Sequence, residues 1–124
     1  MITVVTGNKG KAAEVAAFFD GIVEVTHTPF EAVEPQAENI ADIAREKARQ
    51  AYEALGVPLI VDDTGLFIEA LAGFPGPYAA YVQDTIGNEG ILRAMSSIEN
   101  RRAYFATAVA YADEEGITVF EGRV

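Results

Sequence analysis

The chain has 124 residues, half of them hydrophobic, which is enough for one domain with a real core and too little for two. A net charge of −10 argues against a broad surface for duplex nucleic acid or an anionic membrane, so an anionic ligand has to be met locally. Clustered lysines, helix N-terminal amides, or carboxylates holding a divalent cation would serve, and the last suits an acidic protein best. The absence of cysteine removes disulfide frameworks and thiolate metal sites and points to a reducing cytoplasm. No apolar run approaches the roughly 20 residues of a membrane helix, and no signal-peptide pattern opens the chain.

The first element, ITVVT at 2–6, is β-branched and reads as a buried strand. TGNKGK at 6–11 follows, and a helix is expected from Gly10 to about Asp20, with Ala12, Val15, Ala16 and Phe19 on its buried face. Gly21 stops it, and IVEVTHT at 22–28 alternates as a second strand. An acidic loop from Pro29 carries Glu31, Glu34 and Glu38. Apolar positions from Ile40 through Ile43, Ala44, Ala48, Ala51, Tyr52 and Leu55 have the helical period, with Asn39 and Asp42 at the N-terminal end and Gly56 as the stop. VPLIV at 57–61 is a short apolar strand that runs into Asp62, Asp63, Thr64 and Gly65.

Beyond LFIEAL and the turn-rich GFPGPY at 73–78, a helix is expected from about Asn88 to Met95. AYFATAVAYA at 103–112 alternates strictly, DEEG turns, and ITVFEGRV completes a hairpin. The order predicts one α/β domain over residues 1–124, a mixed twisted sheet with flanking helices. The chain stops at Val124 while still reading as strand. That ending is expected of a domain incomplete at its C-terminal end, with a plain edge strand as the alternative.

Two motifs carry chemistry. TGNKGK between a strand and a helix offers free amides, a positive helix end, Asn8 and Lys11 to an anion, although a solvated turn has the same residues. It is not a Walker A loop, because Val5 and Ala12 stand where that motif needs Gly and Ser or Thr. VDDTG puts two carboxylates at the end of a strand, where α/β proteins gather ligands; Asp62 and Asp63 should face opposite sides, Asp63 being the first choice for a metal. The alternative is a turn capped by Asp63. Glu34 would complete a hard oxygen site for Mg²⁺, with Glu31 and Glu38 as competitors. Lys47 either snorkels to solvent or reaches a phosphate, and the single histidine, His27, reads as structural.

TGNKGK, VDDTG and GFPGPY, in that order, resemble the inosine triphosphate pyrophosphatase family, also called the Ham1 or non-canonical purine NTP pyrophosphatases; DTIGNEGIL and NRRAYFATAVAYADEEG look like its archaeal branch. The resemblance implies a cytoplasmic, homodimeric, Mg²⁺-dependent enzyme that hydrolyses ITP, dITP and XTP to the monophosphate and pyrophosphate. By the same resemblance Thr6, Gly7, Asn8, Lys9, Lys11, Lys47 and Thr64 contact substrate, Glu34 and Asp63 hold the metal, and Asp63, Asp62 and Lys11 are catalytic. Membranes and nucleic-acid polymers are not expected partners. The family continues with a Phe-Gly-Tyr-Asp-Pro-like segment and a Ser-His-Arg motif that read the base, and this chain has neither; Ala79 stands where the family has serine. A non-catalytic nucleotide-binding or dimerising fragment, a Maf-type pyrophosphatase and a general Mg²⁺ phosphatase stay open as alternatives.

Overall fold

The computed structural model describes residues 1–6, 9–30, 32 and 37–124, with Lys9 by its main chain alone. Its strands are β1 (Ile2–Val5), β2 (Val25–Thr28), β3 (Leu59–Ile68), β4 (Pro75–Gly76), β5 (Ala103–Asp113) and β6 (Gly116–Arg123). Its α-helices are α1 (Lys9–Phe18), α2 (Ile40–Leu55), α3 (Ala79–Thr85) and α4 (Gly87–Ala94), and a 3-10 turn covers Glu69–Leu71. The sheet runs β2-β1-β3-β5-β6, with β4 paired to β3. β1 is parallel to β2 and β3, while β3, β5 and β6 form an antiparallel meander. This is the mixed sheet with flanking helices that the element order predicts.

Helix α2 forms where its sequence says it should. The Asn39 side chain accepts from the Ala41 amide at 2.8 Å, and Gly56 closes the other end in the left-handed conformation, its N–H donating to the Tyr52 carbonyl. Its buried stripe is Ile40, Ile43, Ala44, Ala48 and Ala51. Much of that stripe packs on Leu59 and Val61 of β3 and on Ala106, Ala108, Ala110 and Ala112 of β5, with Tyr52 and Leu55 at the margin. Alanine on both partners lets helix and sheet approach closely, so the core on this side is thin and dense. Helix α1 covers the opposite face, where Val15, Phe18 and Phe19 lie beside Ile2, Ile60, Val109 and Tyr111.

Several local expectations are corrected. The strand expected at 57–61 runs from Leu59 to Ile68 and absorbs VDDTG, which is therefore neither a turn nor a strand end. The physical reason is non-local: β5 pairs with every residue of β3 from Leu59 to Ile68, and that ladder overrides the turn propensity of Asp-Asp-Thr-Gly. The second strand occupies only Val25–Thr28 of the expected 22–28, because β1 offers partners only from Ile2 to Val5. On α1, Ala12 is buried as expected but Ala16 is exposed. The last helix begins at Gly87 and ends at Ala94, one residue ahead of expectation at each end, and α3 is an element that the sequence reading did not assign.

Candidate phosphate and metal site

A strand has two edges, and β5 occupies one edge of β3 along its whole length. The other edge is shared: β1 takes Leu59 and Ile60, and β4 takes Leu66 and Phe67. Between them, residues 61–65 have no strand partner on this edge among the described residues, so the sheet carries a notch whose floor is Val61-Asp62-Asp63-Thr64-Gly65. One end of the notch is the end of β1, from which the chain passes through TGNKGK into α1. The other end is the GFPGPY turn, and here two of the sequence motifs prove to be one contact. A Cβ on Gly65 would lie 2.8 Å from the Gly76 carbonyl oxygen, so only glycine lets β4 come this close.

The two carboxylates lie on opposite sides of this floor. Asp62 faces the α1 side, where the Lys11 ammonium is 2.6 Å from its Oδ2. Asp63 faces the α2 side with an exposure of 8%, and the Lys47 ammonium stands 3.6 Å from its Oδ1. Lys47 also donates to the main-chain carbonyl of Asp62 at 3.1 Å. A cation is thus supplied by each flanking helix, one on each side of the notch floor.

Two further contacts fix the surroundings. His27 of β2 donates from Nε2 to the Thr6 carbonyl at 2.6 Å and ties the start of the TGNKGK segment to the sheet edge. Thr64 and Thr107 place their hydroxyl oxygens 2.9 Å apart across the β3–β5 ladder. Neither contact is visible in the local sequence: His27 reads as a strand residue, and Thr107 as one outward position of an alternating strand. Only the register shows what each meets. A cavity of about 70 Å³, lined by Val4, Val15, Ile60, Val109, Lys11 and Asp62, lies beside the Lys11–Asp62 pair on the α1 side.

Of the expected site residues, Thr6, Lys11, Lys47, Asp62, Asp63 and Thr64 are described and lie in or beside the notch. Gly7, Asn8, Glu34 and the Lys9 side chain lie outside the described residues, as does the competing Glu31. The donor chemistry suits a hard divalent cation: carboxylate and hydroxyl oxygens, in a chain without cysteine. Among the described residues no three His, Asp or Glu side chains are grouped as a complete cage. A cation such as Mg²⁺ takes one or two carboxylates and fills its octahedron with water and phosphate oxygens. Asp63 is the side chain that would hold it.

Comparison with known proteins gives a consistent result. The sequence profile of the Ham1 family matches residues 2–124. A dITP/XTP pyrophosphatase of Methanopyrus kandleri is 47% identical over 123 residues, which cover 96% of this chain and 64% of that protein. One from Hyperthermus butylicus is 43% identical over 125 residues, covering 100% of this chain and 66% of its own. The crystal structure of a nucleoside-triphosphatase / dITP/XTP pyrophosphatase from Mycobacterium abscessus superposes with a TM-score of 0.81 at 29% identity, over 99% of this chain and 70% of the other. The chain spans about two thirds of the length of the curated relatives it matches.

Proposed function

Since the chain belongs to the Ham1 family, we propose that the notch in β3 is the triphosphate and metal site of a pyrophosphatase that hydrolyses non-canonical purine nucleoside triphosphates, ITP, dITP and XTP, to the monophosphate and pyrophosphate. The observation that carries this reading is the pair of Lys–Asp contacts, Lys11 with Asp62 and Lys47 with Asp63, on the two sides of one unpaired strand edge. Structure alone has little use for two acids and two lysines here. A triphosphate has a use for all four. The names of the Methanopyrus and Hyperthermus relatives support the reaction class and two of the substrates, dITP and XTP, and ITP rests on the family resemblance.

In this reading Lys11 and Lys47 approach the phosphate chain from opposite sides and offset its charge, which is worth most where the surroundings are partly dry. Asp62 accepts a hydrogen bond from the attacking water and aligns it with the α-phosphorus. The water oxygen bonds to that phosphorus and passes a proton to the Asp62 carboxylate, the bond to the bridging oxygen breaks, and pyrophosphate leaves with the electron pair. Asp63 would hold Mg²⁺, whose chemistry here is to neutralise charge on the phosphate oxygens. Gly7, Asn8, Lys9, Thr6 and Thr64 are assigned to the phosphates, and Glu34 to the metal, on the family resemblance.

The test is product analysis of dITP, ITP and ATP incubated with the chain and Mg²⁺, beside Asp63→Asn. Pyrophosphate from dITP and ITP, reduced by about two orders of magnitude or more in the variant, is expected for a residue that holds transition-state charge. Orthophosphate as the first product would replace this reading with a phosphatase. A folded chain that neither turns over nor binds any of the three would refute it.

A further inference from the structure

We infer that Thr107 of β5 is a positioning residue for the phosphate site, acting through Thr64; the inference rests on the function proposed above. Asp62 and Thr64 are two residues apart in β3 and so share the side of the sheet that carries Lys11. Thr64 is exposed there, one residue past the Asp62-Asp63 pair on the notch floor. Thr107 stands directly opposite it in the antiparallel ladder, with the two hydroxyl oxygens 2.9 Å apart.

A hydroxyl has one hydrogen to give, so in this pair one threonine donates and the other accepts. If Thr64 donates to Thr107, its hydrogen is committed across the ladder and turned from the notch. If Thr107 donates to Thr64, the Thr64 hydrogen is released toward a ligand, and the Thr64 hydroxyl, its oxygen now accepting, is the better donor. An anion beside Thr64 selects the second arrangement. Thr107 thus holds the Thr64 hydroxyl in one rotamer and sets its polarity without itself touching the phosphate. A cross-strand threonine pair of purely structural value would stabilise the sheet and leave anion affinity unchanged.

The experiment titrates the intact chain with inorganic tripolyphosphate at fixed Mg²⁺ by calorimetry, for the wild type, Thr107→Val, Thr107→Ser, Thr64→Val and the double valine variant. Valine keeps the branched shape and strand preference of threonine, so each protein should fold, which a melting curve verifies. Loss of a neutral hydrogen bond predicts about three- to tenfold weaker binding in Thr107→Val. Thr107→Ser should restore it, and the double variant should bind no more weakly than Thr64→Val alone. Wild-type affinity in Thr107→Val, a serine variant as weak as the valine one, or fully additive losses would each overturn the inference while the site reading stands. A wild type that does not bind tripolyphosphate would overturn both.

Discussion

The two sides of the sheet are built on opposite plans. Under α2 the layer is alanine against alanine: Ala44, Ala48, Ala51, Ala108, Ala110 and Ala112 have no exposed surface at all. Under α1 the residues are larger and wetter, with Phe18 at 75% exposure, Phe120 at 63% and Phe105 at 53%. Residue size therefore does not decide burial here; what lies over the strand does. The 16-residue α2 covers β3, β5 and β6, while the 10-residue α1 leaves the β5–β6 hairpin largely open on its side. The same contrast holds for the acids, since Asp63 is on the closed side and Asp62 on the open one. One sheet thus sets two adjacent carboxylates in two environments, an arrangement that lets neighbouring acids do different work.

Removing one cation from each side would break this comparison most directly. Lys47→Met leaves the methylene stem but takes the charge from beside an Asp63 that is only 8% exposed, and should lower unfolding stability by about 2–4 kcal/mol, because a buried carboxylate loses a compensating partner. Lys11→Met acts at a pair with exposures of 35% and 18%, and should cost no more than about 1 kcal/mol. Chemical denaturation measures both. Equal losses would mean that the two sides do not differ electrostatically.

Packing gives the next effect in size. Ala48→Leu puts three carbons into the closed layer and should destabilise by about 1–3 kcal/mol. Phe120→Ser on the open side removes a far larger side chain and should change stability by no more than about 0.5 kcal/mol, being mostly solvated already. Thermal melts of the two variants check the ranking, and a reversed order would show that something covers the α1 side in solution.

The smallest effect is in alkali. Burial, followed by the negative charge of Asp113, raises the Tyr111 phenol above its ordinary value near 10. An acid whose folded pKa is raised favours the folded state while protonated, so its contribution is intact below the unfolded pKa and falls as pH rises through it toward the folded value. Stability measured from neutral pH to above 10 should decline more gently in Tyr111→Phe than in the wild type. Parallel curves would remove Tyr111 from the alkaline response.

How far the fold was legible follows the range of the forces involved. Helix α2 is set by neighbours in sequence, its Asn39 cap, its apolar period and its Gly56 stop, and all three appear as read. The β5–β6 hairpin is equally local, its alternation sorting Ala106, Ala108, Ala110 and Ala112 to one side. β3 was misread because Asp-Asp-Thr-Gly favours a turn and only the ladder from β5 holds it extended. The notch could not be read at all. It arises from where β1 stops and β4 begins on a common edge, a difference between two pairings far apart in the chain. The residues of the site were thus visible as TGNKGK and VDDTG, while the geometry that joins them was not.

In the proposed function the unpaired edge of β3 receives a phosphate chain together with a divalent cation. Backbone amide NMR shifts, followed as tripolyphosphate is added in the presence of Mg²⁺, test it residue by residue. The largest changes are expected in residues 61–65 and at the start of α1 around Lys11, with β6 and α4 unmoved. Changes centred away from the notch, or none up to saturating ligand, would contradict it.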